Sequence, residues 1–451
     1  MLSSTRVSSL LKVLVALAMF FGSISYLGLS TSDYRRVLQT FKGEKARFVD
    51  DFLQDDVGGP IDGSAISALC ANTTWTKGLL FQCEPPPGGI GEVRNAHLNC
   101  IRFAMEAGAE LIIPEIIKRS DKDISIVVPD TKGIPRGILF DFFYDKQYFN
   151  RTLSRICPQM KLRWSLDELY NIPMGNPVTI SVSDIGMTQV NGSLMEFPQI
   201  WITKFREFID AKSNPRTRTW PFKVIVGRNT YVWPTSYDPP GFVANFGRIL
   251  RFRHDVRQLA ASALYSMERK WAKTPRPDQK PQPKDYHGFV GLHLRTEKDV
   301  WGTDFPVYEE QAAYYLDYVI QSPYRIAYLA SGATPENITA FTERAREFNI
   351  TVLTKRDLLE ADELSYLDSL SWDQQALVDF ELLLKADLMA GVSASSFAWN
   401  VALRRAAAQG YVGGHAPFSN SSEHIRWQDD MSVIMGKDDT KNMDMQSGIW
   451  P

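Results

Sequence analysis

The second half of the chain alternates between short apolar runs and segments whose apolar residues recur at helical spacing. The apolar runs lie at 289–294, 325–330, 351–353 and 388–392, and the helical segments lie at 307–321, 335–348, 373–385 and 397–408. Strands separated by helices of about 10 to 15 residues are typical of βαβ units and a parallel sheet. The alternation therefore predicts an α/β fold for this half of the chain.

The length of 451 residues exceeds what one hydrophobic core usually serves, so two domains are expected. Residues 274–284 contain four prolines, which exclude regular structure there and indicate a linker. We therefore predict one domain at 66–272, a linker at 273–285 and a second domain at 286–451. With 50 basic and 52 acidic residues and no basic cluster, the composition argues against a nucleic-acid partner.

The amino terminus has the pattern of a membrane signal. Arg6 and Lys12 precede 17 residues without a charge, at 13–29. We predict a signal anchor, with a cytosolic tail and anchor at 1–30 and a stem at 31–65. A cleaved signal peptide is the alternative, because Ser23 and Ser25 form a small-residue cleavage pattern. Both interpretations send the rest of the chain into the secretory pathway.

Glycosylation sequons and cysteines agree with that compartment. Asn-x-Ser/Thr sequons begin at Asn72, Asn150, Asn191, Asn337, Asn349 and Asn420. The four cysteines allow two disulfides, for which we expect Cys70 with Cys83 and Cys100 with Cys157. A zinc site lacks the usual ligand spacing, and buried free thiols remain an alternative.

Two polar side chains end the apolar run at 289–294. His293 and Arg295 are two residues apart on a predicted strand, so they project to the same face. In open α/β sheets the ligand lies beyond the carboxyl ends of the strands, and a guanidinium there can bind two oxygens of a pyrophosphate. The alternative is an arginine paired with a structural carboxylate and a histidine on a strand edge.

A glycine-rich turn precedes a predicted helix at 96–107. It contains Gly88, Gly89 and Gly91, and it ends at Arg94. A turn of this kind exposes backbone N–H groups at the positive end of a helix, which suits a phosphate. The spacing matches neither the dinucleotide-binding nor the Walker pattern, so an ordinary helix-opening turn is an equal alternative.

A second small-residue turn follows the apolar run at 388–392. Ser393, Ser395 and Ser396 lie where a strand gives way to a helix, so N-cap side chains and free N–H groups converge there. This turn can hold a diphosphate without a metal. Ordinary capping of the helix is the alternative.

Four segments spanning residues 84–405 resemble the protein O-fucosyltransferase-like superfamily. They are the glycine turn ending at Arg94, the Phe-Asp-Phe-Phe segment around Asp141, the His293-Leu-Arg295 strand end, and the stretch from Asp379 through Asp387 to Ser395-Ser-Phe397. The resemblance implies the GT-B fold, in which two Rossmann-like domains face a cleft. Here they are preceded by the predicted transmembrane anchor and stem.

The resemblance also implies an activity. The chain would transfer fucose from GDP-fucose to a hydroxyl of a protein or glycan acceptor, with inversion and without a metal or other cofactor. The domain at 66–272 would face the acceptor and that at 286–451 would bind the nucleotide sugar. With the amino-terminal signal, this makes a single-pass type II protein of the Golgi or endoplasmic reticulum membrane with a lumenal catalytic body.

Roles for individual residues follow from the same resemblance. Arg295 would stabilise the departing GDP, His293 would brace the donor site, and Asp387 would lie near the guanosine. The implied substrate-binding residues are Gly88, Gly89, Gly91, Arg94, His293, Asp387, Ser395, Ser396 and Phe397.

The chain departs from the family in the glycine turn, where other members often carry an asparagine. Glu92 is present in this turn. It is a candidate catalytic acid/base group or acceptor contact, or else a first-turn carboxylate that interacts favourably with the helix dipole. Two other functions therefore stay open, namely a lumenal sugar-binding protein without turnover and a GT-B enzyme that uses another nucleotide sugar.

The D-x-D sequence at 121–123 is not predicted to bind a metal. It precedes an apolar run at 124–128, so it would lie at the start of a strand rather than at its carboxyl end. We interpret it as a solvated loop.

Overall fold

The computed structural model describes residues 43–451 except for 122, 170, 191–193, 229–230, 272–287, 412–423 and 437–442. The predicted anchor at 13–29 and the proline-rich linker lie outside the described residues. Within the described part of the chain, no helix is long and apolar enough to cross a membrane.

The chain divides into two compact units, one ending at Gln54 and one starting at Asp55. In the first unit the described residues form helix α1, Glu44–Gln54. This helix falls within the predicted stem at 31–65.

The second unit contains two parallel sheets connected by helices. Its strands are β1 Leu79–Cys83, β2 Glu110–Ile112, β3 Ile116–Ile117, β4 Gly137–Ile138, β5 Leu162–Arg163, β6 Val178–Ile180, β7 Gln189–Val190, β8 Leu194–Met195, β9 Phe222–Val226, β10 Val290–Leu294, β11 Ile326–Ser331, β12 Thr351–Leu353, β13 Leu388–Val392, β14 Ile425–Gln428 and β15 Ser432–Met435. Its helices are α2 Ser64–Asn72, α3 Ile90–Ala107, α4 Lys146–Ile156, α5 Val182–Ile185, α6 Trp201–Lys212, α7 Pro240–Phe246, α8 His254–Lys270, α9 Tyr308–Gln321, α10 Pro335–Arg346, α11 Lys355–Leu358, α12 Ala361–Ser369, α13 Trp372–Leu384, α14 Ser396–Ala408 and α15 Met443–Gly448.

The first sheet has the strand order β5-β2-β1-β9-β6, and its strands are parallel. The second has the order β12-β11-β10-β13-β15-β14, and all of its pairs are parallel except the one between β14 and β15. Two short antiparallel pairs, β3 with β4 and β7 with β8, lie outside these sheets. The α/β prediction is thus confirmed for both halves of this unit.

Strand β10 lies in the interior of the second sheet and is buried on both faces. All five of its residues are buried, and it pairs with β11 on one side and β13 on the other. Burial on both faces is characteristic of a parallel strand covered by helices. The strand ends one residue before Arg295, as the abrupt change from apolar to charged residues predicts.

The predicted cysteine pairing is wrong. The disulfides join Cys70 to Cys157 and Cys83 to Cys100. The first links α2 to the end of α4, and the second links the last residue of β1 to the middle of α3. The first pair is 87 residues apart in sequence, so it depends on the fold that brings α2 to α4, whereas the second joins cysteines only 17 residues apart.

The strand expected at 124–128 does not form, and within this run only Val127 makes an isolated bridge, to Arg119. Elsewhere, long-range packing buries Arg248 and Arg257 near and within α8. The segment beyond residue 425 supplies β14, β15 and the buried Trp450.

Candidate active site

A cavity of about 1340 Å³ lies where the loops of the two sheets meet. From the second sheet it is lined by residues at or just beyond the carboxyl ends of β10, β11, β12 and β13, and from the first half by the glycine turn and the loops after β3. Its volume exceeds the roughly 300–1,000 Å³ of common small-molecule sites. The cavity therefore has room for a ligand larger than a common small molecule, or for two ligands together.

Nine of the eleven predicted site residues line this cavity. They are Gly88, Gly89, Gly91, Glu92, His293, Arg295, Ser395, Ser396 and Phe397. Because the arginine strand end and the serine turn belong to adjacent strands, β10 and β13, a parallel sheet places them at the same edge. The strand end with Arg295 and the serine turn therefore line one crevice.

His293 connects the two loops directly. Its Nδ1 lies 3.3 Å from the Ser395 hydroxyl, and its ring stacks on Phe397 with 4.4 Å between the ring centroids. Burial lowers the pKa of His293 to about 3, and the positive charge of Arg295 acts in the same direction. The ring is therefore neutral near pH 7, and it serves as a rigid brace for the serine turn.

The amino termini of two helices meet at the cavity. Helix α14 has Ser395 as its N-cap, whose hydroxyl accepts a hydrogen bond from the Ala398 N–H at 3.2 Å. Helix α3 has Gly89 as its N-cap. First-turn N–H groups lack intrahelical partners, and helix amino termini carry partial positive charge. Two such termini lining one cavity favour an anionic ligand.

Close backbone contact between these helices explains the glycine at position 91. A Cβ atom on Gly91 would overlap the backbone of Ser396 and Phe397. The Asn400 side chain donates to the Gly91 carbonyl at 3.2 Å, which fixes this approach from α14. The glycine turn is thus held against the serine turn rather than simply opening a helix.

Arg295 is ion-paired with two carboxylates of its own loop, Glu297 and Asp299. Although burial alone lowers the pKa of Arg295, these carboxylates raise it above its ordinary value. The guanidinium thus stays charged, and its plane is restrained on two sides. Glu297 is itself held by the Gly332 N–H at 2.7 Å.

Arg119 extends this ion-pair network to the first half of the fold. Its Nη1 donates to Asp299 at 3.1 Å, and its Nη2 pairs with Asp373 of α13. Arg119 and Asp373 are both buried. Alternating charges therefore run from Glu297 through Arg295 and Asp299 to Arg119 and Asp373.

Glu92 lies in the first turn of α3, and its carboxylate packs against the Gly88 backbone. Burial raises the pKa of Glu92 above its ordinary value, and the Arg119 cation partly opposes that rise. A buried carboxyl with a raised pKa that lines a cavity is suited to accept a proton from a substrate.

Arg94 does not reach the cavity, which corrects its predicted binding role. It is fully buried, and it donates to Asn400 at 2.6 Å and to the carbonyls of Trp450 at 2.7 Å and Gly247 at 2.9 Å. Arg94 comes two residues after Glu92 in α3, so the two side chains project from different faces of the helix. Arg94 is a scaffold residue that joins α3, α14 and the tail.

Asp387 is also away from the cavity. Its carboxylate accepts a hydrogen bond from the Phe289 N–H at 2.9 Å and another from the Gly288 N–H. Asp387 comes directly before β13, so it lies at the amino end of that strand, whereas the cavity lies at the carboxyl end. It fixes the start of β10 against β13.

Unlike Asp387, Asp379 lines the cavity. Tyr328 and Lys355 each bond one of its oxygens at 2.5 Å. Burial raises the pKa of Asp379, while its bonds to Lys355 and Tyr328 act in the opposite direction. Apolar side chains also line the cavity, among them Ala333, Ile338 and Val352, together with the further carboxylates of Glu343 and Asp357.

The D-x-D acids are separately paired with lysines. Asp121 pairs with Lys118 at 2.9 Å, and Asp123 pairs with Lys298 at 3.1 Å. Among the described residues, no group of three or more metal-ligating side chains is present.

Sequence reasoning missed the functional candidates Arg119, Glu297, Asp299 and Asp373. Glu297 and Asp299 follow Arg295 in the charged run at 295–299, so their position gave a usable signal. Arg119 and Asp373 meet across 254 residues of sequence, and no local pattern indicates that contact.

One family model matches most of the chain. The family described as GDP-fucose protein O-fucosyltransferase matches the chain over residues 79–408. No curated protein sequence matches the chain.

Several solved structures are also similar to the chain. A crystal structure of POFUT1 in complex with GDP-fucose has 12% sequence identity and a TM-score of 0.45, and the match covers 81% of this chain and 99% of that one. POFUT1 in complex with GDP has 12% identity and a TM-score of 0.43, and the match covers 80% of this chain and 100% of that one. The fucosyltransferase NodZ from Bradyrhizobium has 13% identity and a TM-score of 0.36, and the match covers 75% of this chain and 95% of that one.

Proposed function

Because the chain belongs to the GDP-fucose protein O-fucosyltransferase family, we propose that it transfers fucose from GDP-fucose to a hydroxyl of a protein or glycan. The observation that carries this proposal is one cavity shared by Arg295, the amino termini of α3 and α14, and Glu92. The first three supply positive charge for a diphosphate, and the last supplies a base.

The reaction we propose is a single displacement with inversion. The acceptor hydroxyl oxygen attacks the anomeric carbon of fucose while Glu92 takes the hydroxyl proton. The bond between that carbon and the β-phosphate oxygen breaks, and its electron pair leaves with GDP. Arg295 and the first-turn N–H groups of α14 stabilise the negative charge that develops on the phosphate.

Arg295 retains donors for this task despite its two ion pairs. A guanidinium has five N–H donors, and Glu297 and Asp299 each bond one terminal nitrogen. The remaining N–H bonds are available to phosphate oxygens. The carboxylates hold the guanidinium in place before the donor binds, so little reorganisation is needed during transfer.

For the nucleobase we propose the part of the cavity around Asp379. Guanine presents two adjacent N–H donors on one edge, and a carboxylate is the acceptor group that matches them. Uracil has a single ring N–H in a comparable position. The Asp379 carboxylate therefore supports a guanine nucleotide over a uracil one.

We further propose that this body functions in the lumen of the secretory pathway, with the amino-terminal segment as its anchor. The two disulfides support this location, since stable disulfides are rare in reducing compartments. A protease-protection assay on microsomes tests it. Full digestion of the catalytic body without detergent would contradict the proposal.

A melting screen of the protein against GDP, UDP and their sugars tests the donor. We expect GDP and GDP-fucose to raise the Tm. At a ligand concentration 100 times the Kd, binding adds about 2.7 kcal/mol to the free energy of unfolding. UDP compounds at the same concentration are expected to have little effect. Stabilisation by UDP alone would indicate a different nucleotide sugar.

Transfer must then be measured separately from binding. Release of GDP that depends on an acceptor, followed by mass spectrometry of the acceptor, detects it. Stabilisation by GDP without any transfer or donor hydrolysis would select a binding protein without turnover and would contradict the proposed reaction.

Activity is expected to persist in a chelator. The charge of the leaving GDP is stabilised by Arg295 and helix N–H groups, which EDTA does not affect. The measurement is the initial transfer rate with EDTA and with added Mg²⁺ or Mn²⁺. A rate that falls to background in EDTA and returns with Mn²⁺ would overturn the metal-free mechanism.

A further inference from the structure

We propose that Arg119 is a positioning residue of the transfer reaction, which orients Arg295 through Asp299 and provides a cation that acts on Glu92. This inference rests on the proposed function, because it assigns a role to a residue of the same cavity. Arg119 lies outside the four segments that carry the family resemblance. Its role follows from its contacts.

The guanidinium of Arg119 is fixed in place by carboxylates on two sides. It follows β3, and its side chain is 5% exposed. Nε donates to Asp373 Oδ2 at 3.3 Å, Nη2 makes a closer bond to the other Asp373 oxygen, and Nη1 donates to Asp299 Oδ2 at 3.1 Å. A guanidinium bound to two carboxylates in this way has a defined plane.

Asp299 transmits this constraint to Arg295. The same oxygen, Oδ2, accepts from Arg119 and from Arg295, whereas Asp299 Oδ1 is buried without a hydrogen-bond partner. The carboxylate is therefore held by the two arginines together. If Arg119 is removed, the Asp299 carboxylate can rotate, and Arg295 loses one of its two supports.

Arg119 also lies against the glycine turn. A Cβ atom on Gly89 would be 3.6 Å from Arg119 Nη2, which places the guanidinium beside the start of α3. The positive charge of Arg119 opposes the rise in the pKa of Glu92 that burial causes. The other charged or titratable groups that line the cavity near these residues are His293, Arg295, Glu297, Asp299, Asp373, Lys355 and Asp379.

The test compares two substitutions that separate charge from geometry. Arg119→Gln removes both, whereas Arg119→Lys keeps the positive charge and loses the planar fork. For Arg119→Gln we expect kcat to fall about 10²-fold, the scale of a small misplacement of a catalytic group. For Arg119→Lys we expect a smaller fall in kcat.

The pH profile of kcat/KM gives a readout that loss of stability alone would not change. Glu92 must be ionised to accept a proton, so activity falls as the pH drops through its pKa. Removing the Arg119 charge raises that pKa, so the acidic limb of Arg119→Gln should move to higher pH. The limb of Arg119→Lys should stay near that of the wild type.

Arg163→Gln is the matched control. Arg163 is a buried arginine that pairs with Glu110 at 2.7 Å in the first sheet, away from the cavity. We expect this variant to have a lower Tm and an unchanged acidic limb. An acidic limb for Arg119→Gln that coincides with the wild-type limb would overturn the proposed effect on Glu92.

GDP affinity tests the coupling to Arg295 without any transfer assay. Arg119→Gln is expected to weaken GDP binding in the wild-type background and to have a smaller effect in Asp299→Asn, because the link is already broken there. Equal effects in both backgrounds would overturn the inference. A wild-type protein that binds GDP without transferring fucose would refute the proposed function and leave this binding cycle interpretable.

Discussion

Fucosyl transfer is expected to be lost in Arg295→Ala. In the proposed reaction Arg295 carries the charge that faces the leaving GDP, and removing one such donor costs about 3–4 kcal/mol of barrier, or roughly 10²- to 10³-fold in kcat. Arg295→Lys should recover little of this, because an ammonium lacks the planar fork. The measurement is the rate at saturating donor together with the Kd for GDP.

Stability must be controlled in this experiment, because Arg295 also neutralises buried carboxylates. Its removal leaves Glu297 and Asp299 facing each other, so Arg295→Ala should have a lower Tm than the wild type. Adding Glu297→Gln removes one of the two charges and should recover part of the Tm. Recovery of stability without activity supports the catalytic assignment, whereas wild-type activity in a folded Arg295→Ala protein would remove it.

Glu92→Gln is expected to lower kcat by about 10²- to 10⁴-fold, the range for loss of a general base. Glutamine has nearly the same volume and keeps the packing against Gly88, so GDP binding should be retained. Glu92→Asp withdraws the carboxylate by one methylene and should keep part of the activity. Wild-type kcat in Glu92→Gln would show instead that Glu92 serves the helix dipole alone.

Glu92→Gln is also expected to change how the stability of the protein depends on pH. Because the folded protein raises the pKa of Glu92, the protonated form is favoured on folding, and stability is lost as the pH rises through the folded-state pKa. The glutamine side chain of the variant carries no charge and avoids that loss. The Tm of Glu92→Gln should therefore exceed the wild-type value at pH 8 by more than it does at pH 5.

The features that could be predicted from the sequence are those that local pattern determines. The β10 run is apolar on both faces and ends in charge at Arg295, so its type, burial and carboxyl end follow from a few residues. Ser395 marks the start of α14 because a strand is followed by small polar residues. The rule that ligands lie at the carboxyl ends of parallel strands then placed His293, Arg295 and the serine turn together.

The misassigned features depend on partners that are distant in sequence. The glycine turn suggests a substrate-binding role for Arg94, yet its partner Asn400 is 306 residues away. Asp387 is close to the serine turn in sequence, yet β13 lies between them and carries it to the opposite end of the sheet. No local pattern marks Arg119, because a loop arginine acquires its role only when α13 and the loop after β10 surround it.

The buried contact around Arg94 has a consequence for how the molecule unfolds. Arg94 and Asn400 link α3 of the first half to α14 of the second, and Trp450 brings the tail back onto the first half. Separating the halves would expose buried aromatic surface and leave a guanidinium without acceptors. We expect the two sheets to melt in one cooperative transition, so pieces made by cutting the chain in the proline-rich segment would not be autonomous folding units.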